Sequence, residues 1–189
     1  MDKKNIITIA GAPGSGKSST ADLVAKKLNF KRFSSGDFMR NIALKKGISL
    51  NELSTLAEND DSIDISIDNE NKKMNEMNNL VVDSRLAFHF IPNSFKVYLD
   101  LPAEIAKERI FNNLKVNKLR QKSEHSLDSD EVFKKITERL LSEKKRYIEL
   151  YGIDHTNKNN FNLVIDTNKN NLKQVVDIIV LEYKKWLEN

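Results

Sequence analysis

The chain of 189 residues has no cysteine, three prolines, six glycines and one tryptophan. The missing cysteines exclude a disulfide framework, thiolate metal sites and a thiol nucleophile, and they fit a reducing, cytoplasmic setting. No stretch approaches the roughly 18 apolar residues of a membrane span. The apolar run near the N-terminus is too short for a secretory signal, so no membrane partner is expected. His89, His125 and His155 share no metal-ligand spacing and are expected to be structural or exposed. Charge, by contrast, is plentiful at 31% of residues, with a net value of +4. The lysines are interleaved with acids along predicted helices, which indicates solvated faces and no nucleic-acid groove. A mild positive excess suits polyanionic small molecules.

The length fits one domain with a buried core. Short apolar runs predict strands at Ile6–Ala10, "KRFSS", "NLVVDS", "FKVYLDLP" and "FNLVID". Between them the apolar spacing is helical. Ser49 with Glu52 makes a capping-box pattern. The polar stretch "NDDSIDISIDNENKKMNEM" is expected to be a helix lying on the surface. Residues 113–130 show no convincing period and look like an insertion before a long helix from about Asp130 to Tyr151. The last helix carries Leu172, Val175, Val176, Ile179 and Tyr183 as an apolar stripe. Alternating strands and helices predict an α/β fold around a mostly parallel five-stranded sheet.

"ITIAGAPGSGKSSTADLVAKKL", Ile7 to Leu28, contains Gly11, Gly16, Lys17 and Ser18 in the spacing G-x-x-x-x-G-K-[ST], between a predicted strand and a predicted helix. Half of the six glycines lie in this loop. They let backbone N–H groups of Gly11, Ala12, Pro13-flanking Gly14, Ser15, Gly16, Lys17, Ser18 and Ser19 curl around phosphate oxygens, and the helix N-terminus adds positive potential. Lys17 can reach the β- and γ-phosphates, and the Ser18 hydroxyl can ligate Mg²⁺. ATP with Mg²⁺ is therefore the expected donor. Among P-loop classes, a GTPase would need N-K-x-D; the Asn-Lys pairs here are followed by no such aspartate.

Three further clusters point to a phosphate acceptor. "SSGDFMR" puts Ser35, Gly36, Asp37 and Arg40 where the second strand meets its helix, at the carboxyl edge of the sheet. This resembles the nucleoside monophosphate kinases, in which S-x-G-[DE]-x-x-R opens the acceptor pocket. "VVDSR" ends a buried strand with Asp83, a candidate Mg²⁺ ligand directly or through water, and Arg85, a fork for phosphate. Adenylate kinases carry D-G-[FY]-P-R followed by a glutamine here. "DSR" is closer to the D/E-G-R of cytidylate kinases, with serine replacing glycine. In "ERLLSEKKRYIELYGID", Arg139, Glu143 and Arg146 at i, i+4, i+7 fall within ~60° on one helix face. R-x-x-x-[DE]-x-x-R is the pattern cytidylate kinases carry after their lid.

From Ile7 to about Asp177 the chain resembles the short archaeal-type cytidylate kinases. The resemblance implies a single three-layer P-loop domain. Its core is 1–34, 79–112 and 152–189, its acceptor-binding excursion about 35–78 and its lid about 113–138. It also implies transfer from MgATP to CMP or dCMP by a monomer. The resemblance implies catalytic roles for Lys17, Arg85, Arg139 and Arg146, with Arg40 and Arg85 fixing the acceptor, Asp83, Arg139 and Arg146 also at the acceptor site, and Glu143 accepting from an exocyclic amine of the base. Arg109 is a candidate phosphate ligand beside the hinge. Replacing Arg146 with Ala is expected to lower kcat at least ~100-fold with the fold intact. A kinase of the same fold acting on AMP or UMP, and an ATP-binding regulatory or RNA-associated protein, are the alternatives.

Overall fold

The computed structural model describes residues 3–116, 122 and 129–188. Five strands, β1 (Ile6–Gly11), β2 (Lys31–Ser34), β3 (Leu80–Asp83), β4 (Phe95–Asp100) and β5 (Leu163–Asp166), form one sheet in the order β2-β3-β1-β4-β5. All four pairings are parallel. The expectation of a mostly parallel sheet is thus met by a wholly parallel one. The α-helices among the described residues include α1 (Lys17–Leu28), α2 (Ser35–Lys46), α3 (Leu50–Leu56), α4 (Ser62–Met74), α5 (Ala87–Phe90), α6 (Ala103–Val116), α7 (Ser129–Tyr151) and α8 (Leu172–Glu188), with a short 3₁₀ helix at Lys158–Asn160.

The pleat sends alternate residues of each strand to opposite layers. Ile7 and Ile9 of β1, with Phe95, Val97 and Leu99 of β4, meet α1 and α8 through Val24, Val175, Val176 and Ile179. Ile6, Leu80 and Val82 face the other way, onto Ala87 and Ile91. Leu86 and Phe88 continue that layer against Tyr147 of α7. The inner strands β1, β3 and β4, buried on both faces, read as largely apolar runs, which is why the sequence alone located them.

Between β2 and β3 the chain leaves the sheet for α2, α3 and α4, which bury a small cluster of their own around Ala43, Leu53, Ala57 and Ile67. The capping box is present: Ser49 accepts from the Glu52 N–H, and Glu52 accepts from the Ser49 N–H. Helix α4 departs from expectation. Its polar face is not solvated throughout, because Asp64, Asp68 and Asn71 are each no more than 2% exposed. Counting polar residues as outward fails here because partners from α7 and α2 meet them inside. The lid expected at about 113–138 falls partly on 117–121 and 123–128, outside the described residues, as does His125; 129–138 begin α7.

Candidate active site

The carboxyl ends of the strands carry the site. β1 lies between β3 and β4, whose connections run to opposite sides, so a crevice opens where open α/β sheets take ligands. The glycine loop turns at its mouth. A Cβ at Gly11, where φ is 150°, would stand 2.3 Å from the Leu99 carbonyl oxygen. One at Gly14, at φ 75°, would stand 2.9 Å from that of Ala106. Only glycine permits this close approach. The Ala12 N–H donates to Leu99 O at 3.0 Å and the Ser15 N–H to Ala12 O at 3.2 Å, fixing the curl. Lys17 Nζ lies over the loop and donates to Gly11 O and Ala12 O at 3.0 and 3.2 Å.

Ser18 and Asp83 come together from elements 65 residues apart, with Ser18 Oγ donating to Asp83 Oδ2 at 2.7 Å. Among the described residues no group of three or more histidine or acidic side chains could hold a metal alone. A hydroxyl and one carboxylate fit Mg²⁺, a hard cation that keeps waters and takes its remaining ligands from substrate phosphates. The same Asp83 oxygen receives Arg32 Nη2 at 3.2 Å. Arg32 also lies 3.3 Å from Asp22 and from Asp37, a junction that no motif announced.

Three clefts meet around the loop. One large cleft, about 910 Å³, lies between the core and the α2–α4 excursion; Pro13, Lys17, Ser35, Gly36, Arg40 and Arg85 are among its walls. A second gap runs past Gly14, Lys17, Ser18, Arg40 and Arg109. The third lies on the far side of the loop, between Ser15, Gly16, Ser19 and Thr167. Arg109 borders both of the last two, held by donation from Nη2 to the Thr167 carbonyl at 3.0 Å.

The helical triad is buried, not at the solvent edge: Arg139, Glu143 and Arg146 are 4–6% exposed. Arg139 and Glu143 line the large cleft. Glu143 accepts from Arg85 Nη1. Burial works to raise the Glu143 carboxyl, but Arg85 and then Arg139 hold it below the usual range. Arg146 goes elsewhere: its Nε donates to Asp64 Oδ2 at 2.6 Å and one Nη to Ser142. It is absent from the cleft wall: seven residues carry it about 10 Å along the helix from Arg139, to where Asp64 of α4 and the Ser54 carbonyl of α3 accept from it. Arg40 lies along α2 and donates to Asp37 at 3.1 Å.

Sequence reasoning missed Asp64, Asp68, Asn71, Tyr147 and Tyr151. A signal was there. Ile63 and Ile67 repeat at i, i+4, and Asp64, Asp68 and Asn71 repeat at i, i+4, i+7 beside them, which is an apolar stripe with a polar seam along its edge.

A wholly parallel sheet with a glycine loop, a Lys–Ser pair and a carboxylate facing the hydroxyl defines a P-loop kinase, an enzyme built for phosphoryl transfer. A shikimate kinase from Bacteroides thetaiotaomicron shares the fold, with a TM-score of 0.59 at 15% identity over 94% of this chain and 98% of that one. The model of the cytidylate kinase-like family matches residues 6–169, and the chain belongs to that family. It is 34% identical over 185 residues to a cytidylate kinase of Methanosphaera stadtmanae, covering 97% of this chain and 98% of that protein. It is also 34% identical over 184 residues to an S-adenosylmethionine-dependent nucleotide dehydratase of Lacinutrix mariniflava, covering 96% of this chain but 36% of that protein.

Proposed function

We propose that the chain transfers the γ-phosphoryl group of ATP to the phosphate of CMP or dCMP, giving ADP and CDP or dCDP. The observation carrying this reading is the junction of three clefts at one glycine loop, with Lys17, Arg40 and Arg109 lining the gap between the outer two. Two anionic nucleotides can lie end to end there. In the reaction an acceptor phosphate oxygen forms a bond to the γ-phosphorus as the bond to the ADP oxygen breaks. The acceptor is already anionic, so no strong general base is needed, and alignment with charge neutralisation supplies the rate.

Lys17 and the loop N–H groups hold the donor phosphates. Ser18 and Asp83 would hold Mg²⁺, which would supply positive charge against the charge developing on the transferring phosphates. Ser35, Gly36, Asp37 and Arg40 form the acceptor's entrance, and Arg85 and Arg139 face its phosphate. Glu143 anchors those two guanidinium groups, and Arg146 braces the excursion against α7. We assign residues 35–78 to acceptor binding and about 113–138 to the lid that excludes water. A monomer in the cytoplasm suffices, since one chain supplies every group named.

A coupled assay of ADP production over CMP, dCMP, UMP and AMP tests the reading. Cytidine nucleotides should give the highest kcat/KM. Equal or better turnover of AMP overturns the choice of base, and no monophosphate-dependent turnover overturns the kinase.

A further inference from the structure

Helix α4 buries three polar side chains on one face, and that arrangement needs a reason. A buried polar group without a partner costs about 1–3 kcal/mol. Asp64 is matched by Arg146. Asp68 is matched in part: Tyr151 donates to its Oδ2 at 2.5 Å. Asn71 is matched on one side, where Oδ1 accepts from Ser35 Oγ at 3.2 Å. Its Nδ2 lies near the Asp68 carboxylate, which it helps to hold down against burial, but makes no full hydrogen bond among the described residues. Asp68 and Asn71, three residues apart and so neighbours on the helix, both line the large cleft, whereas Asp64 does not. Around them Met39, Leu50, Ile67 and Tyr147 make an apolar slot.

The slot therefore presents an acceptor beside a donor. A carboxylate retains lone pairs after one hydrogen bond, and the amide retains N–H. The complementary edge is an exocyclic amine beside an unprotonated ring nitrogen. Cytosine has that edge. Uracil reverses it, with a carbonyl beside a ring N–H. Glu143, the carboxylate the triad offers for the amine, is already engaged by Arg85.

Building on the proposed kinase reading, we infer that Asp68 and Asn71 are the specificity-determining residues that read the acceptor base, Asp68 accepting from its amine and Asn71 donating to the adjacent ring nitrogen. Tyr151 is a positioning residue that holds the Asp68 carboxylate. A site built to bond a substrate amine rejects the analogue lacking it, because its own buried groups are then left unpaired.

Asp68→Asn and Asn71→Leu test this, each with kcat/KM for CMP and UMP and the Kd of CMP, UMP and ATP by calorimetry. For Asp68→Asn, whose amide can also donate to a uracil carbonyl, the CMP-to-UMP ratio should fall by at least about 10-fold while the ATP Kd stays within about twofold. Asn71→Leu should weaken CMP by a similar factor. Tyr151→Phe, which leaves the carboxylate in place, guards against misfolding of the other two. It should lower the ratio by a smaller factor at unchanged ATP affinity. A folded Asp68→Asn protein that keeps the wild-type ratio overturns the inference and leaves the kinase reading standing. A wild type that shows no preference for CMP over UMP overturns the inference alone, whereas one with no monophosphate-dependent turnover sinks the kinase reading with it.

Discussion

The two sides of the cleft are built from different materials. The side we assign to the donor is backbone: a loop of eight residues curled by glycines, with Lys17 laid over carbonyls five and six residues away. The side we assign to the acceptor is side chains, held by pairs far apart in sequence. Arg85 meets Glu143 across 58 residues, Arg146 meets Asp64 across 82 and Tyr151 meets Asp68 across 83. Substitutions on the donor side should therefore remove activity at little cost in stability, while those on the acceptor side should disturb both.

Lys17→Ala breaks the comparison most directly. Its ammonium is the loop's charge for the transferring phosphates, so kcat should fall by about three orders of magnitude or more. The melting temperature should barely move, because the loop keeps its own N–H bonds to Leu99 and Ala12. A large loss of stability would show that the loop depends on this side chain after all.

Arg146→Ala is the acceptor-side counterpart. Read from the helix pattern alone, it costs turnover and spares the fold. The structure adds Asp64, 1% exposed, whose partner would vanish. Removing one member of a buried ion pair costs about 3–5 kcal/mol. Urea unfolding should register that loss, and Arg146→Met with Asp64→Leu should recover most of it. If Arg146→Ala is as stable as the wild type, the pair braces nothing.

The same contrast explains what could be read without the structure. Gly11, Gly14, Gly16, Lys17 and Ser18 are contiguous, and the geometry they need is local. The inner strands show themselves because burial on both faces makes them largely apolar. Arg139, Glu143 and Arg146 were legible as a face but not as to what each one meets. Their spread of about 10 Å along the helix axis decides that, together with the placement of α3 and α4. Asp68 and Asn71 looked like solvent residues because tertiary partners, not the local pattern, keep them inside.

A subtler difference lies in how two buried groups on the acceptor side respond to acid. Burial pushes Asp68 up to about 6 from 3.8, against the pull of Tyr151. The folded state thus binds its proton first; the penalty for its charge is fully present above pH 6 and fades as pH falls toward 3.8. His155 goes the other way. Burial, then the Arg85 charge, lowers it to about 4 from 6.5, and its neutral ring sits edge-on to Tyr147. Stability from that neutral ring is whole above pH 6.5 and drains away as pH falls through 4. Between pH 4 and 6 the two slopes oppose each other. Asp68→Asn should be more stable than the wild type at pH 7 by up to about 3 kcal/mol, an advantage that vanishes near pH 4. His155→Leu should gain on the wild type by a similar amount as pH falls from 7 to 4. Urea midpoints across that range decide it; parallel curves for variants and wild type would remove both assignments.

The seam between the two sides is Arg32, which touches carboxylates of α1, α2 and β3 at once. Its guanidinium lies on the Asp83 oxygen that the Ser18 hydroxyl also meets, so it competes with a divalent cation for the same lone pairs. The side chain is 22% exposed, and solvent screens much of this charge, which keeps its worth near 1 kcal/mol. Arg32→Leu should accordingly lower the Mg²⁺ concentration for half-maximal activity by a few-fold, roughly 5 at most, since 1.4 kcal/mol is a factor of 10. The variant should also bind Mg²⁺ more tightly in calorimetric titrations without substrate. An unchanged half-saturation would mean that Arg32 serves Asp22 and Asp37 and leaves Asp83 to the metal, which would put the seam wholly on the acceptor side.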